Sequence, residues 1–379
     1  MPATVMKDTA APAGNTNKQA APQILVPFTR AAHEHIEPMS DVTQAMTATS
    51  TALGPYDVPA YGYLRGIWLD VQASGGSGTG VVAKEDSPWS VISEIALIDV
   101  NGAPIVGPFS GYDLYLINKY GGYSYGSDPK LSPMFSAVSG TGGNFRFLLR
   151  IPVEFSAREG LGALPNANAA STWKLRITLS PGSTVYSTAP TTLPNVRVRM
   201  YLDAWSQPAQ TDLKGNATAQ QPPAIGTTSY WSKTTLPVSN GFNTLRLPRM
   251  GSLLRNLIFV FRDTAAGTRA AGDANFPDTP SLYWDTRLLK TYQKDLWRHE
   301  MYRKTGYSAA LESANGLESG VFFEDYCHDF DGRVGGELRD QYIGTTQSTR
   351  YELTGNFLSA GTLTVITNDV AAASEIFVN

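Results

Sequence analysis

The chain has 379 residues, 42% hydrophobic and 17% charged, with 35 glycines and 24 prolines. The low charge and raised Gly and Pro content exclude a disordered chain, a collagen and a helical bundle, and favour a turn-rich, mostly β protein long enough for two domains. A net charge of −3 with no Lys/Arg cluster removes the footprint of nucleic-acid binding, and a single cysteine, Cys327, excludes a disulfide framework or a cysteine-based zinc site.

Residues 1–22 are mainly Ala, Pro, Thr, Asn and Gln with only Lys7, Asp8 and Lys18 charged. Such a tract buries too little apolar surface to offset its ordering entropy, so it reads either as a frayed terminus or as an arm that orders on a partner. It lacks a charged region followed by an apolar one, so no signal peptide is expected. The longest apolar run, Leu257 to Phe261, is far short of the ~20 residues that span a bilayer. The expectation is a soluble β protein of a reducing compartment.

Strands are expected at Ile67–Val71 and Ser93–Asp99, with turns at Ser74–Gly80, Asn101-Gly102 and Ser139–Asn144. Apolar spacings of three and four predict a helix over Ser110–Tyr120. Phe145, Phe147, Leu149, Ile151, Val153 and Phe155 then fall at every second position. Trp173, Leu175, Ile177 and Leu179 do the same, as do Val196, Val198, Met200 and Leu202. Successive strand side chains point to opposite faces, so these are antiparallel strands with one core face and one wet face.

Gln207–Ala224 carries Pro208, Pro222 and Pro223 and reads as a linker. It divides the chain into 23–206 and 225–379, each the size of one β-sandwich. The second part has β-rich stretches at Leu253–Phe261, Tyr351–Leu358 and Leu363–Ile366, and a predicted helix over Leu288–Lys304 with Leu289, Tyr292 and Leu296 as its apolar stripe, continued less regularly by Met301 and Tyr302.

Chemistry is sparse along this order. His33 and His35 would share one strand face, but no partner stands at ligand spacing. Gly122-Tyr123-Ser124-Tyr125-Gly126 has the form of a nucleophile elbow, yet a helix precedes it where a strand is required. Cys327 and His328 would face opposite sides of a strand and cannot act as a pair. Glu324, Asp325, Asp329 and Asp331 lack the spacing of a calcium loop and read as a solvated turn. The reading is of no enzyme, no cofactor and no metal.

A faint repeat runs through both parts. Pro59 to Ile67, with Gly62 and Arg65, resembles Pro248 to Leu257, with Gly251 and Arg255. Asp113 and Tyr120 match Asp295 and Tyr302 at the same spacing, followed by Gly122-Tyr123-Ser124 and Gly306-Tyr307-Ser308. Phe155, Arg158 and Gly160 recur as Phe330, Arg333 and Gly335, and Ser171-Thr172 as Ser348-Thr349. The matches are collinear, which points to two copies of one β fold.

With these duplicated pieces, two tandem sandwiches, an arm and no catalytic constellation, residues 23–379 resemble the double-jelly-roll major capsid proteins of tectivirus-like bacteriophages with an internal membrane. The two predicted helices add to this, because each roll in that family is flanked by one. The resemblance implies an all-β fold of two tandem eight-stranded jelly-roll β-sandwiches with short flanking helices: an arm at 1–22, a first roll at 23–206, a linker at 207–224 and a second roll at 225–379. It implies a structural subunit that forms pseudo-hexagonal homotrimeric capsomers tiling an icosahedral shell. The partners implied are further copies of itself, minor capsid and vertex proteins, and the internal viral membrane through the arm, with no specific nucleic acid. The location implied is the virion, assembled in the host cytoplasm. The arm has no basic amphipathic stretch, which argues against strong membrane binding. The alternatives are a phage adhesion or carbohydrate-binding β-sandwich protein, suggested by the aromatic content, and a β-sandwich hydrolase with two converging carboxylates.

Overall fold

The structure is a computed structural model, and it describes residues 26–124, 126–209, 211, 220–221, 228–248, 251–263, 267–327, 342–345 and 350–371. The chain first lays down β1 (Glu34–Ala45), β2 (Thr51–Asp57), β3 (Tyr63–Ser74), β4 (Ile92–Ile98) and β5 (Pro104–Phe109). After helix α1 (Gly111–Tyr120) come β6 (Phe145–Pro152), β7 (Lys174–Leu179) and β8 (Asn195–Trp205). These form two sheets, in the orders β1-β8-β3-β6 and β2-β7-β4-β5.

The same sequence of elements then returns: β9 (Ser229–Val238), β10 (Gly241–Arg246), β11 (Leu253–Asp263), β12 (Ser281–Trp284), β13 (Arg287–Thr291), helix α2 (Lys294–Thr305), β14 (Val321–Asp325), β15 (Tyr351–Phe357) and β16 (Gly361–Val370). Their orders are β9-β16-β11-β14 and β10-β15-β12-β13. In both sets the first, eighth, third and sixth strands make one sheet and the second, seventh, fourth and fifth the other. The helix falls between fifth and sixth each time. The fold is therefore all-β, two eight-stranded jelly rolls in tandem, each with its flanking helix. Beside β1, Val26–Pro27 pair in parallel with Gln220–Gln221, so part of the expected linker lies against the first roll. The arm at 1–22 lies outside the described residues.

The alternation seen in the sequence becomes the core. Phe145, Phe147, Leu149 and Ile151 of β6, and Val196, Val198, Met200 and Leu202 of β8, are fully buried. Each such side chain contributes about 1.5–3 kcal/mol of transfer free energy. The apolar run Leu257 to Phe261 lies in β11, every residue of which is buried through Phe261. A strand with a core on one face and covered on the other needs no alternation.

Helix α1 starts where its cap dictates. Ser110 accepts from the Asp113 N–H, and the Asp113 carboxylate accepts from the Ser110 N–H at 2.9 Å. This reciprocal box satisfies two otherwise orphaned donors. The helix expected over Leu288–Lys304 is corrected. Arg287–Thr291 is a strand hydrogen-bonded to β12, and the helix begins only at Lys294. Its buried stripe is Trp297, Met301 and Thr305; of the expected residues only Met301 lies on it, while Leu289 and Tyr292 precede the helix and Leu296 is exposed. Gly306, at φ 74°, ends it in the left-handed conformation that glycine adopts without strain. The acidic run is also corrected in part. Glu324 and Asp325 are buried on β14, where Lys290 and Lys304 pair with them, and are no solvated turn. Asp329 and Asp331 lie outside the described residues.

Candidate functional site

The most heavily built polar region lies where the two rolls meet. Its centre is Lys119, in the last turn of α1, with a side chain of zero exposure. Its ammonium donates to Asp128 Oδ2 at 2.7 Å, Glu318 Oε1 at 2.6 Å and the Gly316 carbonyl at 2.5 Å. Asp128 belongs to the first roll, just after α1, and Glu318 to the second, between α2 and β14. Tyr115 donates to Glu318 Oε1 at 2.6 Å and Tyr120 to Glu318 Oε2 at 2.5 Å. The Tyr307 ring lies 4.7 Å from the ammonium, and its hydroxyl donates to the Lys119 carbonyl.

Burial alone would raise the Glu318 carboxyl, but the Lys119 and Lys130 charges outweigh it and hold it below the ordinary carboxylate range. Burial, and then the Glu318 charge, push the Tyr115 and Tyr120 hydroxyls well above theirs. These tyrosines stay protonated and act as donors. The arrangement is a saturated, dry ion-pair network, which fixes a geometry.

Further pairs cross the same junction. Lys233 of β9 donates to Asp113 of α1 at 2.7 Å. Arg269, fully buried between β11 and β12, reaches Asp86 of the first roll at 2.9 Å and Glu312 at 2.7 Å, and lies 4.5 Å from the Tyr112 ring. Its backbone N–H donates to Glu85. The sheets themselves are joined, because β5 of the first roll pairs in parallel with β9 of the second at Val106 and Trp231. Trp231 packs edge-on against Tyr123, which follows α1. Held between its own roll and these contacts, all ten residues of α1 are buried.

The residues of the sequence repeat lie at these places. Gly62 precedes β3 with φ 43°, and a Cβ there would lie 1.9 Å from the Trp205 carbonyl oxygen. Gly251 precedes β11 with φ 70° and open space around it. Arg65 is the extra residue of a bulge, since its neighbours Leu64 and Gly66 pair with the adjacent Ala204 and Asp203. Arg255 is likewise extra, between Leu254 and Asn256, which pair with Asp369 and Asn368. Arg65 donates to Asp203 at 3.3 Å and Glu154 at 2.9 Å; Arg255 donates to Asn368 at 3.1 Å and to the Gly121 carbonyl of the first roll at 3.3 Å. Asp113 and Tyr120 are drawn into the junction, whereas Asp295 and Tyr302 lie exposed on α2. Phe155 is buried and Arg158 exposed; Phe330 and Arg333 lie outside the described residues. Ser124 sits in the turn after α1, its N–H bonded to the Asn118 carbonyl, not at a strand-to-helix elbow.

The sequence reading missed Lys119, Asp128, Arg269, Glu318 and Trp231. A lysine in an amphipathic helix reads as a solvated charge, and the partner that reveals it stands 199 residues away.

No protein-family model matches this chain, and no curated protein matches it. Solved structures do. The STIV MCP is 12% identical at a TM-score of 0.61, covering 90% of this chain and 97% of that one. The PBCV-1 virus capsid protein is 12% identical at 0.61, covering 89% and 94%. The major capsid protein P2 from bacteriophage PM2 is 10% identical at 0.53, covering 91% and 100%. These likenesses show a shared fold, the double jelly roll of viral major capsid proteins.

Proposed function

We propose that the chain is a major capsid protein, the structural subunit of an icosahedral bacteriophage shell built around an internal membrane. The observation that carries this is the pair of jelly rolls with identical strand order, locked by the Lys119–Asp128–Glu318 network into one block. Its likeness to viral capsid proteins over nearly the whole chain supports the reading.

Three copies, each presenting two similar sandwiches, form a pseudo-hexagonal capsomer. Rolls 23–206 and 225–379 descend from one ancestral roll, with Gly62, Arg65, Asp113, Tyr120, Phe155 and Arg158 as counterparts of Gly251, Arg255, Asp295, Tyr302, Phe330 and Arg333. Capsomers assemble in the host cytoplasm with minor capsid and vertex proteins. The arm at 1–22 bridges neighbours or touches the membrane. The role is mechanical and not enzymatic.

Light scattering on the purified chain tests the reading. A trimer of about 123 kDa, three times the 40.9 kDa chain, is expected. A stable monomer at micromolar concentration would contradict it.

A further inference from the structure

The Lys119 network also holds the groups of a reaction. The side chains of Lys119, Asp128 and Glu318 have zero exposure, and the rings of Tyr115, Tyr120 and Tyr307 lie 5.7, 5.6 and 4.7 Å from the ammonium. An amine is pressed against one carboxyl group, a second carboxylate touches the same amine, and solvent is shut out. A condensation to an amide requires these groups held in contact, and exclusion of water protects it from the reverse hydrolysis.

The polar contacts give each atom a role. Asp128 Oδ2 lies 2.7 Å from Lys119 Nζ and accepts from the Asn315 N–H at 3.2 Å. Asp128 Oδ1 accepts from the Lys130 N–H at 2.8 Å, and the Tyr115 hydroxyl stands 3.4 Å from it. Donors at that oxygen stabilise the negative charge it gains when Cγ becomes tetrahedral. Glu318 Oε1 is 2.6 Å from Nζ and accepts from the Tyr115 hydroxyl at 2.6 Å. Once Glu318 takes up a proton, the Tyr115 proton is free to turn towards Asp128 Oδ1. Glu318 is the base and not the acceptor, because the Lys119 and Lys130 charges hold it ionised.

We propose that Lys119 and Asp128 condense to an isopeptide bond inside the folded chain, with Glu318 as the catalytic base. A first proton moves from Nζ to Oδ2 along their hydrogen bond, giving a neutral amine and a neutral acid. Nζ then bonds to Cγ, and Oδ1 carries the negative charge. Nζ gives a second proton to Glu318, which returns it to the departing Oδ2. The Cγ–Oδ2 bond breaks, Oδ1 becomes the amide carbonyl oxygen, and one water leaves. An ammonium and a carboxylate become an amide and water, so no outside reactant is needed and Glu318 ends ionised as it began. The amide keeps one N–H for the Gly316 carbonyl, which already lies 2.5 Å from Nζ. Glu318 keeps Tyr115, Tyr120 and the charge of Lys130, 3.8 Å away. Because Glu318 belongs to the second roll, the bond forms only when the two rolls have docked. It closes a ring over residues 119–128 and pins the turn that carries Tyr123 to α1. The chain reacts once and turns over no substrate, so the proposal stands apart from the capsid reading.

Mass spectrometry of the full chain, denatured after purification, tests this. The parent is expected one water lighter than its sequence. Chymotrypsin cuts after Tyr120 and Tyr123, inside the ring, and the fragments carrying Lys119 and Asp128 are expected to stay joined. Lys119→Arg keeps the charge without the reactive amine, and Glu318→Gln removes the base. Both, shown to be folded by circular dichroism, are expected at full sequence mass. A parent at full sequence mass would overturn the proposal, and that readout needs no variant to fold. So would a lost water that maps elsewhere, a Lys119 fragment joined to the one carrying Glu318, or a Glu318→Gln chain linked as fully as the parent. None of these outcomes bears on the trimer mass that tests the capsid reading.

Discussion

Removal of the Lys119 ammonium leaves the Asp128 and Glu318 carboxyl groups without the donor they share, in a site of zero exposure. Breaking a buried pair from one side costs about 3–5 kcal/mol. We predict a loss of that size for Lys119→Met, read by chemical denaturation. A second prediction concerns Asp369, which is 1% exposed and whose carboxylate has the neighbouring Thr367 hydroxyl as its one stabilising polar group among the described residues. Burial pushes it up to about 7 from an ordinary 3.8. A raised folded-state pKa means a contribution present below the unfolded value and lost as pH rises through the folded one. The midpoint difference between Asp369→Asn and the parent should therefore be small at pH 4 and should grow in favour of the variant between pH 5 and 8. A difference that stays flat with pH would exclude the assignment. Neither residue was legible in sequence, where nothing marks a charge as buried. A spacing pattern records a residue's neighbours along the chain, and these groups are defined by neighbours across it.

At the scale of elements, legibility followed periodicity. The strands β6, β7 and β8 were readable because one wet face and one dry face impose a period of two. Helix α1 was readable from its apolar spacing. The strand β13 was not, because its state is set by pairing with β12 and its Leu288-Leu289 pair carries no alternation. The glycines preceding β3 and β11 look alike in sequence but differ in their surroundings. Gly62→Ala would place Cβ against the Trp205 carbonyl, whereas Gly251→Ala meets open space. We predict that the first costs more than about 2 kcal/mol, and the second only the roughly 1–2 kcal/mol of a left-handed alanine. Equal denaturation midpoints for the two would show that the close approach to Trp205 does not constrain the turn.

At the scale of the molecule, a net charge of −3 suits a subunit that adds to a lattice without strong self-repulsion. The arm at 1–22 belongs to this scale too, as a segment whose role would appear only in assembly. Deleting it should leave the trimeric state and thermal midpoint unchanged and lower the yield of closed particles; particles of normal yield and size from the shortened chain would remove the arm from the assembly mechanism. The two-roll architecture was legible from strand alternation along a chain long enough for two sandwiches. The junction was not, because the ion pairs that lock it join residues from opposite halves. The most direct measurement of the central claim is electron microscopy of the particle that contains this chain, at a resolution that traces strands. The account predicts six-lobed capsomers, each made of three chains with first and second rolls alternating around the axis. Finding the chain only in a spike, or as single copies unattached to the shell lattice, would contradict it.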